Sequence, residues 1–338
     1  MRGIPNSSVP GIAAEWCIAS SDRDPSFWGW RGTQRAPTRG VMRLRWIVLV
    51  ALLAVAAPAS ANASQLIDRN ATHVRLQVSS SGQALLTYRV NGHARHVLAW
   101  KAVNAVAPDA GRPQASFRLD YSGGWGTFHK LVWKGFANTC KPYSGPPLAW
   151  FVAGCTAPDG SLWALQRWQR ELPNYGVRPT VSEAAWELRL SHWSGALPLL
   201  TIHLDWAYRR YDHLFGSLTY LGLPVYGFRS TAVGAPLDRF GRNIYVDTFS
   251  SAYGAGWQRE NSFLSHSPTG TFCYGFYPHG DHPMGKGTRY RATAIGPGVT
   301  PDVMWQSDAL GAYNAGLDRQ LADVLRATVA GDPLCRPV

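Results

Sequence analysis

This sequence predicts a mainly β protein: an antiparallel, β-sandwich-like two-sheet body with one C-terminal amphipathic helix. Three observations carry that expectation. Short runs with apolar residues at every second position recur between Ser64 and Gln306, separated by Gly, Pro and Asn-Gly turns. Helical spacing of apolar residues is sustained in one place, Tyr313 to Ala330. No segment repeats at the roughly 40–50-residue period of a propeller blade, which leaves a sandwich or a related two-sheet body.

The first strong signal along the chain is Met42 to Ala63. Arg43 and Arg45 form a basic start, Trp46 to Ala57 are apolar without interruption, and Pro58 precedes two overlapping small-residue sites, Ala59-Ser60-Ala61 and Ala61-Asn62-Ala63. This is the pattern of a Sec-type signal peptide, and it is too short for a bilayer-spanning helix, which needs ~17–25 apolar residues. A secreted, extracellular protein is expected, with residues 42–63 removed. Residues 1–41 are Pro/Gly/Ser/Arg-rich without periodicity. They are expected to be a disordered, non-native upstream segment, with Met42 as the start.

Export sets the meaning of the cysteines. Cys17 falls in the leader, and four remain: Cys140, Cys155, Cys273 and Cys335. An even number in an exported chain predicts two disulfides with three possible connectivities. Cys140–Cys155 and Cys273–Cys335 are the favoured pairs: the first closes a short loop and the second pins the C-terminus. No Cys follows the cleavage sites and no second long apolar run occurs. No lipid anchor and no membrane span after signal cleavage are therefore expected.

The formal charge is +12, and residues 64–338 keep 26 Lys+Arg against 18 Asp+Glu. These charges are dispersed, with no basic run longer than Arg209-Arg210. Dispersal argues against a nucleic-acid groove and for a solvated basic surface compatible with anionic cell-wall polymer. Arg far exceeds Lys, which with abundant Ala, Gly and Pro suggests a GC-rich bacterial genome.

From Ser64 the elements follow in order. Val74 to Val78, a Ser-Ser-Ser-Gly turn and Ala84 to Val90 make a hairpin, and Asn91-Gly92 supplies a type I′ turn into His93 to Trp100. This N-terminal meander, residues 64–106, is set off by the Pro/Gly/Asp-containing link Ala107 to Pro113 from a main body, residues 114–338, with which it can form one domain. Strands are expected at Ser116 to Tyr121 and, after the turn Ser122 to Gly126, at Lys130 to Phe136. Ala149 to Val152 suits a buried strand. Leu162 to Arg170 carries Trp163 and Trp168 on opposite faces, which predicts burial on one side and a second interface or platform on the other. Trp186 to Trp193 and Leu199 to Tyr208 alternate clearly. Leu218 to Tyr220 turns through Leu221-Gly222 into Pro224 to Phe228. Ile244 to Phe249, Phe272 to Tyr277, Tyr290 to Ile295 and Val303 to Gln306 complete the strands. The helix 313–330 places Leu317, Leu321, Val324 and Leu325 on one stripe and stops at Gly331 and Pro333, as a core-packing lid.

The chain contains no G-x-S-x-G elbow, H-E-x-x-H, Walker or EF-hand motif. Gly254-Ala255-Gly256 lacks the third glycine of a dinucleotide loop, and no cofactor is expected. The most suggestive stretch is the loop Asp238 to Asn261. It sets Arg242, Asn243, Asp247, Arg259 and Glu260 among Tyr245, Tyr253 and Trp257. Sugars need this combination, because the C–H face of the ring stacks on an aromatic while the hydroxyls take directed hydrogen bonds. A loop-fixing salt-bridge network of Arg242, Asp247, Arg259 and Glu260 explains the same residues and outweighs it.

His203 and Asp205 share one face of their strand and suit a general-base pair, although a polar outer face is commoner. His279, Asp281 and His282 form a compact ligand set in a Pro/Gly-rich loop, where an exposed loop outweighs a metal site. No metal is expected. The leading functional expectation is a secreted β-rich protein that binds carbohydrate or cell-envelope polymer. The alternatives are a glycosidase-like hydrolase drawing on Asp205, Asp247, Glu260 and His203, and a structural cell-surface interaction protein.

Overall fold

The computed structural model describes residues 64–106, 114–225, 229–230, 236–237, 244–260, 265–266, 271–276 and 285–330. The signal segment, residues 1–41, the link 107–113 and Cys335 lie outside the described residues, as do Arg242, Asn243, His279, Asp281 and His282.

The chain is mainly β, as its alternation predicts, with antiparallel pairing throughout its sheets. The first half contains β1 (Gln65–Arg69), β2 (Thr72–Val78), β3 (Ala84–Val90), β4 (His93–Trp100), β5 (Arg118–Asp120), β6 (Lys141–Pro142), β7 (Phe151–Thr156), β8 (Leu162–Gln169) and β9 (Trp186–Trp193). They form two sheets, ordered β1-β9-β8-β7-β6 and β2-β3-β4-β5. Asn91 and Gly92 both take positive φ, 51° and 79°, and close the β3–β4 hairpin as a type I′ turn requires. Leu86, Tyr88 and Val97 of one sheet meet Trp163, Leu165, Leu188 and Leu190 of the other in a shared core. Each such side chain contributes roughly 1.5–3 kcal/mol when fully buried.

The second half contains β10 (Leu199–Ala207), β11 (Tyr211–Tyr220), β12 (Leu223–Pro224), β13 (Arg229–Ser230), β14 (Pro236–Leu237), β15 (Ile244–Ser251), β16 (Gly254–Glu260), β17 (Ser265–His266), β18 (Thr271–Gly275), β19 (Arg289–Ala294) and β20 (Val303–Asp308). Two further sheets run β10-β11-β18-β17, with β12 beside β11, and β16-β15-β19-β20; β13 and β14 pair with each other. Ile202, Leu204, Leu214 and Phe272 pack against Ile244, Val246, Tyr290 and Ala292 to form the second core.

Trp163 and Trp168 show how the two cores are joined. Trp163 enters the first core, whereas Trp168, on the opposite face of β8, packs with Trp150 against Ile295 and Tyr245 of the second half. Asp302 reinforces the same joint. Its carboxylate accepts from Ser64 Oγ (2.6 Å) and Trp168 Nε1 (3.0 Å), while its backbone exchanges two 2.9 Å hydrogen bonds with the Gln166 amide. A buried carboxylate is tolerable only when satisfied in this way.

The helical elements among the described residues are α1 (Trp125–Phe128), a 3₁₀ turn Val132–Gly135, and α2 (Ala315–Val329). Asn314 caps α2 by accepting from the backbone N–H groups of Gly316 and Leu317, which starts the helix two residues later than its apolar stripe suggests. Leu325 and Val324 lie on Ala207, Phe215 and Cys273, covering the outer face of β10-β11-β18, whereas Leu317 is exposed.

Three expectations are corrected. Lys130 to Phe136 is not a strand: it turns through the 3₁₀ segment Val132–Gly135, with the Trp133 N–H donating to the Gly123 carbonyl and the Lys134 N–H to the Leu131 carbonyl. Ala149 to Val152 is not a buried strand, since β7 begins only at Phe151, which is exposed with Val152. The loop 238–261 contains the strand β16, formed because residues 254–260 pair with β15 despite their glycines. Cys140–Cys155 is bonded as expected, whereas Cys335, the expected partner of Cys273, lies outside the described residues. Cys273 is buried among Phe215, Ala207 and Leu325, where α2 packs over the sheet, and has no disulfide partner among the described residues.

Candidate functional site

A cleft of about 480 Å³ opens between the two halves of the molecule. One wall comes from Trp150, Gln169 and Trp186 of the first half together with Leu172, Pro173, Gly176 and Arg178 of the connection between β8 and β9. The other is the β15–β16 hairpin from Tyr253 to Gln258, with Arg291 from β19. The register of β16 separates its last residues between two faces. Trp257 and Arg259 pair with Phe249 and Asp247 on the outer face, while Glu260 pairs with Val246 and faces the core.

The cleft floor is a stack of cations and rings. The Arg291 guanidinium lies 4.2 Å from the Trp257 ring centre and 5.5 Å from that of Trp150, and Trp150 stacks on Trp168 at 5.3 Å. Arg259 lies 4.2 Å over Tyr245. Asp247 is shared by both arginines: Arg259 Nε donates to Oδ1 at 2.6 Å, and Arg291 donates to Oδ2 from Nη2 at 2.7 Å and Nε at 3.0 Å. Arg259 also donates to the Arg170 carbonyl and, through its backbone N–H, to that of Pro173. It thereby ties the hairpin to the connecting segment.

Two arginines against one buried carboxylate leave this floor with a net positive charge, and exposed Arg178 adds another at the rim. Trp186 is the most exposed ring of the cleft, at 44 %. Gln169 and Gln258 supply amides, although Gln258 Nε2 is already donated to the Ala255 carbonyl. The arrangement can stack a flat or C–H-rich face and hold an anionic or hydroxylated substituent.

The sequence-derived residues separate into three places. Tyr253 and Trp257 line the cleft, and Tyr245, Asp247 and Arg259 support it on the same sheet face. Glu260 lies on the opposite face, buried beneath Gly285. The Tyr253, Tyr274 and Thr248 hydroxyls lie 3.4–3.5 Å from its carboxyl. Burial pushes its pKa up to about 8, outweighing those hydroxyls.

Asp205 and His203 lie on another sheet, on the face that α2 covers. Asp205 is paired in register with His213, and His203 stacks on Phe215 at 5.3 Å. Burial raises Asp205 to about 6 and lowers His213 to about 4, and neither His213 ring nitrogen has a hydrogen-bond partner among the described residues. Asp205, Asp247 and Glu260 thus occupy three different sheet faces. No group of three metal-ligating side chains converges among the described residues.

Sequence reasoning missed Trp150, Trp186, Gln169, Arg178 and Arg291. Only Trp186, the first residue of β9, stands at a strand end as an exposed aromatic, and the contacts that assemble the site span the two halves. Comparison with protein-family models, curated proteins and solved structures gives no match to this chain, so its family is left unassigned and the site stands on its own geometry.

Proposed function

We propose that this chain is an exported binding protein that holds a segment of carbohydrate, as part of a cell-envelope or other extracellular polymer, in the cleft between its two halves. The observation that carries this reading is the composition of the cleft. Trp150, Trp186, Tyr253 and Trp257 surround Arg178 and Arg291, so that ring faces and guanidinium donors address one volume. Binding is favoured over hydrolysis because Asp205, Asp247 and Glu260 stand on different faces, and Asp247 is ion-paired through both oxygens. Paired carboxylates ~5–10 Å apart across one cleft are what glycosidase chemistry requires.

The test is retention of the protein on a glycan array and on insoluble acidic and neutral polysaccharides. Trp186→Ala and Arg178→Ala are each expected to weaken retention by about tenfold, in line with the loss of one stacking or charge-assisted contact. Absence of retention on every polysaccharide, or retention unchanged in both variants, overturns the proposal.

A further inference from the structure

The segment from Tyr121 to Ala137 lies apart from the cleft and contributes none of its lining. It exposes four large apolar side chains: Tyr121 (56 %), Trp125 (59 %), Phe128 (37 %) and Leu131 (41 %). Clusters of this kind mark interaction surfaces more often than isolated exposed residues do.

The segment is built to hold them outward. Asp120 accepts from the Ser122 N–H, the Ser122 hydroxyl and the Thr127 N–H, at 2.5–2.8 Å, which fixes the start of the turn. Gly123 and Gly124 take positive φ, 67° and 113°, so the chain reverses where an L side chain would be strained. Trp133 stacks on His96 with ring centres 4.0 Å apart and planes 3° from parallel, which anchors the far end to β4.

Its charge is one-sided. Two of the five lysines in the whole sequence, Lys130 and Lys134, lie in this segment, and a third, Lys141, follows in β6, in a protein that otherwise uses arginine. No acidic residue occurs between Asp120 and Asp159, and no Asn or Gln between Tyr121 and Ala137. Lysines with flexible apolar stems can keep the charge at a polar boundary while neighbouring side chains go deeper. A sugar would call for carboxylate or carboxamide groups to meet its hydroxyls, and this surface has none.

We propose that this loop docks the protein peripherally on an anionic lipid bilayer. Trp125, Phe128 and Leu131 enter the boundary between headgroups and acyl chains, and Lys130 and Lys134 meet the lipid phosphates.

The experiment is co-sedimentation of the full chain with vesicles of equal parts phosphatidylglycerol and phosphatidylcholine, against vesicles of phosphatidylcholine alone. Binding is expected to the anionic vesicles, to fall with added salt, and to be much weaker on the neutral ones. Lys130→Gln/Lys134→Gln is expected to weaken it by about 30-fold, the equivalent of ~1 kcal/mol for each lysine at the surface. Trp125→Ser/Phe128→Ser is expected to abolish the salt-resistant part. Unfolding midpoints confirm that both variants fold, and the lysine pair tests the idea alone where the aromatic pair does not. No sedimentation with anionic vesicles at low salt, or binding undiminished in both double variants, overturns the proposal.

Discussion

Glu260→Gln stabilises the protein at pH 8 and leaves it nearly unchanged at pH 4.5. The carboxyl of Glu260 is buried on the core face of β16, beneath Gly285, and burial pushes its pKa from 4.5 to about 8. Below pH 4.5 the folded and unfolded chains both hold the proton, and ionisation costs nothing. Between 4.5 and about 8 the unfolded chain releases a proton that the folded chain retains, so stability falls as pH rises, by ~1.4 kcal/mol per unit. Above pH 8 both states are ionised and the loss levels off, at on the order of 5 kcal/mol. Glutamine has the same shape, stays neutral throughout, and offers an oxygen to the same hydroxyls. Urea denaturation of both proteins from about pH 4.5 to about pH 9 reads the difference directly. His192 and His213, lowered to about 4 by burial, and Asp205, raised to about 6, tilt both curves alike and cancel in that difference. A difference that stays constant across the range refutes the reasoning.

Gly216→Ala is expected to cost 3 kcal/mol or more, because a Cβ there would overlap the Thr201 carbonyl oxygen on the neighbouring strand, and backbone cannot step aside; a melting temperature unchanged in Gly216→Ala contradicts this. Asp247→Asn removes the shared partner of Arg259 and Arg291 and is expected to cost roughly 3–5 kcal/mol, measured by denaturant unfolding. Replacing both Cys140 and Cys155 by Ser is expected to lower stability by ~3 kcal/mol, since the bond closes a loop across a sequence separation of 15. Intact-mass analysis after expression in a secreting bacterial host is expected to find the chain beginning after Ala61 or Ala63; a native peptide from residues 1–41 contradicts the reading of that segment.

Much of the strand pattern was legible because a strand's side chains alternate with a period of two regardless of where its partners lie. Asn91-Gly92, the Leu199 to Tyr208 alternation and the opposed Trp163 and Trp168 all declare themselves within a few residues. The failures share a cause as well. The segment 130–136 alternates weakly, and its Trp133 N–H is taken by the Gly123 carbonyl ten positions earlier, a bond that no local pattern announces. β16 was hidden by its glycines, although pairing with β15 supplies the hydrogen bonds that propensity does not.

The candidate site divides along the same line. Tyr253 and Trp257 could be nominated from the sequence because they sit among polar residues in one stretch, and register alone then separates Asp247 from Glu260 across the sheet. What the sequence by itself determined is the mainly β class, the hairpin turns and the short-loop disulfide, all governed by interactions between near neighbours. What only the tertiary structure decided is the cleft. Arg291 lies between Trp150 and Trp257 because two sheets from different halves meet there, with Asp302 and Trp168 fixing the joint. Burial and pairing between distant segments depend on the packing of the whole chain, which no local pattern encodes.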